Sequence, residues 1–268
     1  GKAFQKMKNK LWQIWQYLVY LPRCIHLHGI HSTIVFELYP HLFKEEEKYY
    51  AFDEIESLRA KLLLTNKYIF ISDLGAGSTV HKSNKRRIQD IAKTSLKPAK
   101  TAQLLFRFIR HFKPNNIVEL GTCLGITSAY LGKANLKGQL TTLEGSSELA
   151  RVAKINFSKL ELKNITQVEG NFDETLKATL ANLEIVDFIF FDGNHSKEPT
   201  LRYFEQALLH SNEHAIFVFD DIYWSKEMTE AWGEIKKHPS VTVTIDCYSM
   251  GFVFFKKDQA KEHFTVYH

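Results

Sequence analysis

The sequence predicts an α/β fold, and two observations support this prediction. From residue 116 onward, short runs rich in β-branched and aromatic residues alternate with helical segments. Parallel strands need such helices as crossover connections. The last two predicted strands are separated only by a short turn around Ser249, which implies an antiparallel pair. We therefore expect a Rossmann-like sheet of seven strands, five of them parallel, with a C-terminal antiparallel hairpin.

The predicted strands define the order of the elements. They cover residues 117–120, 139–143, 165–168, 186–191, 215–219, 241–246 and 251–255. A helix between Pro98 and Pro114 leads to the first of them, and its apolar residues fall on one stripe. The sequence thus divides into an N-terminal helical extension, residues 1–97, and a catalytic domain, residues 98–268.

Composition and charge limit the class of protein. The chain has 268 residues, 44% hydrophobic and 24% charged, which argues against disorder. Its net charge of +5 is dispersed and gives no strong indication of nucleic-acid binding. Three widely spaced cysteines suggest thiols in a reducing compartment. Because no apolar run approaches the roughly 20 residues of a membrane span, cytoplasmic residence is the default expectation.

Residues 4–21 are predicted to form an amphipathic helix with several lysines near its start. Its apolar positions are Leu11, Trp12, Trp15, Leu18 and Val19. Such a helix should cover another surface. Packing against the catalytic domain or in a homodimer is the preferred interpretation, and weak membrane-surface contact is the alternative.

A glycine loop follows the first strand of the catalytic domain and opens the next helix. Glycines let a ligand approach the backbone closely, so Glu119–Gly125 can accommodate a cofactor. Glu144 ends the following strand, where an acidic side chain accepts hydrogen bonds from ribose hydroxyls in nucleotide sites.

These residues resemble the class I S-adenosylmethionine-dependent O-methyltransferases, whose first motif is E-x-G-x-x-x-G-x-[ST]. The resemblance covers about residues 98–257. It implies that Glu119, Gly121 and Gly125 surround the methionine part of the cofactor and that Glu144 holds its ribose. By the same resemblance, the remaining cofactor residues are Asn171 and Phe172 beside the adenine, and Thr122, Thr127, Ser128, Gly145 and Asp192.

Two other segments of the extension carry motif-like residues. Asp73–Ser78 also looks like a cofactor loop, but a polar, basic stretch follows it instead of an apolar helix, so we interpret it as a turn or lid. His26, His28 and His31 fit no standard zinc spacing.

Three aspartates follow the fourth and fifth strands: Asp192, Asp220 and Asp221. Because ligands bind beyond the carboxyl ends of parallel strands, we expect these carboxylates to converge and to bind Mg²⁺ or another divalent cation. They resemble the metal sites of catechol, caffeoyl-coenzyme A and antibiotic-sugar O-methyltransferases. The sugar enzymes tend to have a further aspartate where this chain has Asn194. We therefore assign proton removal to His195, with Asp192 as the second catalytic residue.

The sequence thus predicts metal-assisted O-methylation of a small-molecule hydroxyl, with S-adenosylmethionine as the methyl donor. A metal-independent methyltransferase acting on RNA or another macromolecule, and a non-catalytic cofactor-binding module, remain alternatives. An NAD-dependent oxidoreductase is disfavoured because the loop lacks the G-x-G-x-x-G spacing.

Overall fold

A computed structural model describes residues 2–24, 33–45, 47–72 and 83–268. The chain forms two compact units, one from Glu46–Phe188 and one from Gly1–Glu45 together with Ile189–His268. The second glycine loop, Asp73–Ser78, and the histidines at 26, 28 and 31 lie outside the described residues. The division at residue 97 into an extension and a catalytic domain stays a prediction.

The unit formed by residues 46–188 contains five strands and six helices in its described part. In chain order they are α3 (Tyr50–Leu64), β1 (Tyr68–Ser72), β2 (Ser83–Arg87), α4 (Ile88–Ser95), α5 (Ala99–Phe112), β3 (Asn116–Leu120), α6 (Ile126–Ala134), β4 (Gln139–Glu144), α7 (Ser147–Lys159), β5 (Ile165–Glu169) and α8 (Phe172–Leu183).

Strands β3, β4 and β5 are parallel neighbours in that order. Four of the five residues of β3 and five of the six residues of β4 are buried. Burial on both faces is typical of parallel strands that are covered by helices. The register sets Glu119 of β3 opposite Thr142 of β4, and Glu144 of β4 opposite Glu169 of β5.

The local sequence explains where α5 and α7 begin and end. Helix α5 starts after Pro98 and stops at Lys113, which adopts the left-handed conformation. Its predicted apolar stripe is buried at Leu104, Leu105, Phe108 and Ile109. Helix α7 is capped by Ser146, whose hydroxyl accepts from the backbone N–H of Leu149.

Strands β1 and β2 form a separate antiparallel pair. The polar, basic sequence that follows Ser78 does not predict a strand. Ser83–Arg87 is instead strand β2. Pairing with β1 satisfies the backbone hydrogen-bonding groups of β2. Hydrophobic patterning cannot reveal such pairing.

The other unit contains α1 (Lys2–Tyr20), α2 (Thr33–Leu38), α9 (Lys197–Leu208), α10 (Lys226–Lys237) and strands β6 (Phe188–Phe191), β7 (Ile216–Asp220), β8 (Val243–Asp246), β9 (Met250–Phe254) and β10 (Glu262–Thr265). Its strand order is β10-β8-β9-β7-β6. Strand β9 is antiparallel to both β7 and β8. The predicted α/β fold with a C-terminal antiparallel hairpin is confirmed. Strand β10 lies parallel to β8 and is an additional strand that was not predicted.

Helix α1 matches the predicted amphipathic segment, but its apolar stripe is not the face that packs. Trp12 is half-buried and Tyr20 is buried, whereas Leu11, Trp15 and Leu18 are 58–61% exposed. Among the described residues no helix has the length and hydrophobicity needed to cross a bilayer. All three cysteines are thiols, as predicted.

The packing of β9 against α10 gives a stability prediction. A Cβ atom on Gly251 would lie 2.5 Å from Cη2 of Trp232, which is fully buried. We expect Gly251→Ala to lower the free energy of unfolding by about 1–3 kcal/mol, because overpacking a filled core forces side chains to shift. Urea denaturation measures the change.

Gly233, on α10, is the matched control, because its Cβ would have no neighbour within 4 Å. Gly233→Ala should leave stability unchanged or raise it by up to about 1 kcal/mol, since alanine favours helix more than glycine does. Equal stability of the two variants would contradict this account of the packing.

Candidate functional site

The glycine loop connects β3 to α6 and depends on positive backbone angles. Gly121 has φ 103° and Gly125 has φ 82°, values that favour glycine. A Cβ atom on Gly125 would also lie 2.6 Å from a ring carbon of Phe157. The backbone N–H groups of Gly121 and Thr122 donate to the carbonyl of Leu143, which attaches the loop to the end of β4.

Glu119 is fully buried at the base of this loop. Its Oε2 atom accepts from the hydroxyls of Ser128 and Thr142, the latter at 2.7 Å. Its Oε1 atom has no hydrogen-bond partner within the described parts of the chain. Burial raises the pKa of Glu119 from 4.5 to about 7. A buried acceptor with a vacant lone pair suits a cationic donor such as the amino group of a methionine moiety.

Glu144, at the end of β4, closes the other side of the loop. Its Oε2 atom accepts from the backbone N–H of Cys123 at 2.8 Å, and its Oε1 atom accepts from that of Ser146 at 2.9 Å. Burial raises the pKa of Glu144, and these backbone donors oppose that rise. Each carboxylate oxygen can accept a second hydrogen bond, so ribose hydroxyls could still donate to this side chain.

The other predicted cofactor residues occupy defined positions in the same unit. Thr127 and Ser128 are buried in the first turn of α6, and the Thr122 hydroxyl lies 2.6 Å from that of Thr142. Gly145 follows Glu144 directly and is half-buried. Asn171 caps α8 by accepting from the backbone N–H of Asp173, and Phe172 begins that helix.

The acidic cluster lies in the other unit, at the carboxyl ends of β6 and β7. Asp192, His195 and Asp220 each offer one possible metal-ligand atom, and these atoms lie within 4.8 Å of one another. Asp220 is buried, whereas Asp192 and His195 are half-buried. Nε2 of His195 is 3.8 Å from Oδ1 of Asp192 and 3.8 Å from Oδ2 of Asp221. The structure thus brings His195 in among the three predicted carboxylates.

Two residues at these strand ends adopt the left-handed conformation. Asn194 has φ 56° and Asp221 has φ 51°. Asparagine and aspartate tolerate this region better than most residues. The Asn194 amide donates to the Tyr203 hydroxyl at 3.3 Å, and the backbone N–H of Asp221 donates to the carbonyl of Ser249 at 2.8 Å.

Two residues near the predicted site residues were not predicted to contribute to them. The Thr142 hydroxyl donates to the Glu119 carboxylate. The only feature of the sequence that could have predicted this role is a hydroxyl residue within a buried strand. Asp246, at the end of β8, accepts from the hydroxyl of Tyr223 and from Nε1 of Trp232. Tyr223 is thus an anchor of the loop after β7, a role that depends on tertiary pairing and leaves no local pattern.

Residues 118–222 match a known family described as a methyltransferase domain. The match starts one residue before Glu119 and ends one residue after Asp221, so it includes the glycine loop and the acidic cluster. The chain matches none of the curated proteins.

Several solved structures share the fold. The SAH-bound methyltransferase of Podospora anserina is 14% identical, with TM-score 0.60, over 85% of this chain and 98% of that one. The O-methyltransferase of Bacillus cereus, in complex with SAH, is 17% identical, with TM-score 0.53, over 85% and 100%. The O-methyltransferase TomG of Streptomyces achromogenes, involved in tomaymycin synthesis and in complex with SAM, is 20% identical, with TM-score 0.53, over 60% and 82%.

At these identities the solved structures establish the fold, and the matched domain supplies the activity class. Residues 118–222 thus match a methyltransferase domain, and the chain has the fold of S-adenosylmethionine-dependent methyltransferases, among them O-methyltransferases.

Proposed function

We propose that this protein methylates a hydroxyl group of a small-molecule acceptor and uses a divalent cation to do so. The observation that carries the proposal is the convergence of Asp192, His195 and Asp220 within 4.8 Å. Carboxylate oxygens are the ligands that Mg²⁺ prefers, and an imidazole beside them can accept a proton near neutral pH. A hydroxyl is a weak nucleophile, and a bound cation together with a group that takes up its proton would activate it.

The glycine loop and its two glutamates would bind the cofactor. S-adenosylmethionine supplies an electrophilic methyl group on its sulfonium, so the protein has to bind and orient it. Glu119 would accept a hydrogen bond from the cofactor's amino group through Oε1, and Glu144 would accept from its ribose. Gly121 and Gly125 keep the backbone free of side chains at the loop.

The aspartates and His195 would bind and activate the acceptor hydroxyl. Asp192, Asp220 and Asp221 would hold the cation, and a cation there would favour the deprotonated form of a bound hydroxyl. Nε2 of His195 lies 3.8 Å from a carboxylate oxygen of Asp192 and 3.8 Å from one of Asp221, so these side chains orient the imidazole. His195 is therefore the proton acceptor, and the aspartates orient it.

The first prediction from this proposal concerns cofactor binding. We expect isothermal titration to detect binding of SAH and none of NAD. Glu144→Gln should weaken SAH binding at least about tenfold, because the amide would set its own N–H₂ against the backbone N–H of Cys123 or Ser146.

Glu148 lies on α7 beyond the loop, and its half-buried carboxylate is ion-paired to Arg151, so Glu148→Gln is the control and should bind SAH as the wild type does. Binding of NAD instead of SAH, or equal SAH affinity of all three proteins, would refute the proposed cofactor site.

The second prediction concerns pH. Because the pKa of Glu119 is about 7, this carboxyl is mostly protonated at pH 6 and mostly ionised at pH 8. An ionised carboxylate binds a cationic amino group more strongly, so SAH affinity should rise by up to about tenfold over this range. In Glu119→Gln, which cannot ionise, affinity should be lower and nearly independent of pH between these values.

The same group affects the stability of the ligand-free protein with the opposite sign. Its pKa is raised on folding, so its contribution to stability is fully present below pH 4.5 and is lost as the pH rises through about 7. Chemical denaturation should show the wild type losing stability relative to Glu119→Gln over that window. A constant difference between the two proteins would show that Glu119 does not titrate there.

The third prediction concerns the cation. Isothermal titration with Mn²⁺ should show binding that weakens at least about tenfold in Asp192→Asn and in Asp220→Asn, because each loses a carboxylate ligand. Asp258→Asn is the control, since Asp258 is exposed and asparagine tolerates its φ of 64°.

His195→Gln separates the two roles that the cluster allows for His195. If His195 removes a proton, this variant should retain Mn²⁺ binding within about twofold. Loss of Mn²⁺ binding as large as in Asp220→Asn would make His195 a metal ligand, and absence of Mn²⁺ binding in the wild type would remove the cation from the proposal.

A further inference from the structure

Helix α1 has one face that is fixed to the protein. The indole Nε1 of Trp12 donates to the Thr229 hydroxyl at 3.1 Å, and the buried Tyr20 hydroxyl donates to the carbonyl of Val266. Thr229 lies on α10, and Val266 directly follows β10. Two attachments on one side of the helix set its rotation, so the residues on the opposite side are fixed in place as well.

The opposite face of α1 is apolar and exposed. Its side chains are spaced by three or four residues and are between 52% and 61% exposed: Met7, Leu11, Ile14, Trp15 and Leu18. Residues with this spacing lie on one side of a helix. Contiguous exposed apolar patches of this kind mark contact sites with proteins or membranes. We call these five residues the α1 stripe.

Positive charge accompanies the stripe. Helix α1 contains four lysines and no acidic residue. At about 100° of rotation per residue, Lys8 and Lys10 lie on the two opposite flanks of the stripe, and both are exposed. Arg23, just beyond the end of the helix, is exposed as well. The stripe is thus an apolar band bordered by cations.

We infer that the α1 stripe docks in the plane of an anionic lipid bilayer. Helices of this kind insert an apolar face at the boundary between head groups and acyl chains, while lysines contact anionic lipids. Trp15 is a residue type enriched at that boundary. A second copy of the chain fits less well, because two such helices would bring their lysines together without any acidic residue on α1 to pair with them.

Docking would also orient the loop that follows β7. The Gln13 side chain donates to the carbonyl of Trp224 at 3.0 Å, and the Gln13 carbonyl accepts from the Tyr248 hydroxyl at 2.7 Å. The backbone N–H of Trp224 donates to the carbonyl of Asp221 at 2.8 Å. A docked α1 therefore holds the backbone beside the acidic cluster near the bilayer surface.

Flotation of the full chain with lipid vesicles tests this inference. We expect the protein to float with vesicles that contain phosphatidylglycerol and to float less with pure phosphatidylcholine. The double change Leu11→Glu with Trp15→Glu should reduce the bound fraction at least about tenfold, because it places two charges in the apolar band. Raising the salt from about 0.1 M to about 1 M should release the protein, since the screening length falls from about 10 Å to about 3 Å.

Leu209→Glu is the matched control, because Leu209 is 84% exposed in the same unit but distant in sequence from α1. It should float as the wild type does. Unchanged SAH affinity and circular dichroism show that each variant is folded, and they keep this test separate from that of the proposed function. A wild type that stays in solution with anionic vesicles overturns the inference. So does a dimer in light scattering that the double change dissociates while vesicles leave it intact, because the stripe would then bind a second copy.

Discussion

The buried carboxylate of Glu119 is the constraint on which the unit of residues 46–188 depends. It joins three consecutive elements, because Glu119 lies near the end of β3, Ser128 belongs to α6 and Thr142 belongs to β4. An acidic group enclosed without water is costly unless it is hydrogen-bonded. The two hydroxyls satisfy one oxygen and leave the other as an acceptor. The same residue thus fixes the path of the glycine loop and supplies it with a polar group for a ligand.

Asp246 has a comparable place in the other unit. It is buried, and it accepts from the Tyr223 hydroxyl, the Trp232 indole and the backbone N–H of Tyr248. Burial raises its pKa, and these donors oppose that rise. Through Tyr223 this network fixes the loop that begins at Asp221. Both units therefore use a carboxylate inside the core to position a functional loop at the end of a strand.

Much of this arrangement could be predicted from the sequence because its signals are local. The alternation of strands and helices, the glycines of the loop, Glu144 and the aspartates after β6 and β7 all lie at positions that the chain order defines. What escaped prediction depends on tertiary contacts. Strand β2 is basic and polar, and only its pairing with β1 makes it a strand. The Tyr223–Asp246 bond joins residues 23 positions apart. The spacing of apolar residues in α1 predicts the helix correctly. It does not predict that the helix packs against the protein through Trp12 and Tyr20.

The division of the chain into a continuous and a discontinuous unit has a consequence for biosynthesis. Residues 46–188 form one uninterrupted stretch, so their core can assemble as soon as that stretch has left the ribosome. Residues 1–45 are made before this stretch, whereas their partners, among them Thr229 and Val266, are made after it. During translation, α1 and its apolar residues lack these packing partners until residues 189–268 have been synthesised. Contacts of such long sequence separation form slowly, so the apolar residues of α1 stay exposed to aggregation until then.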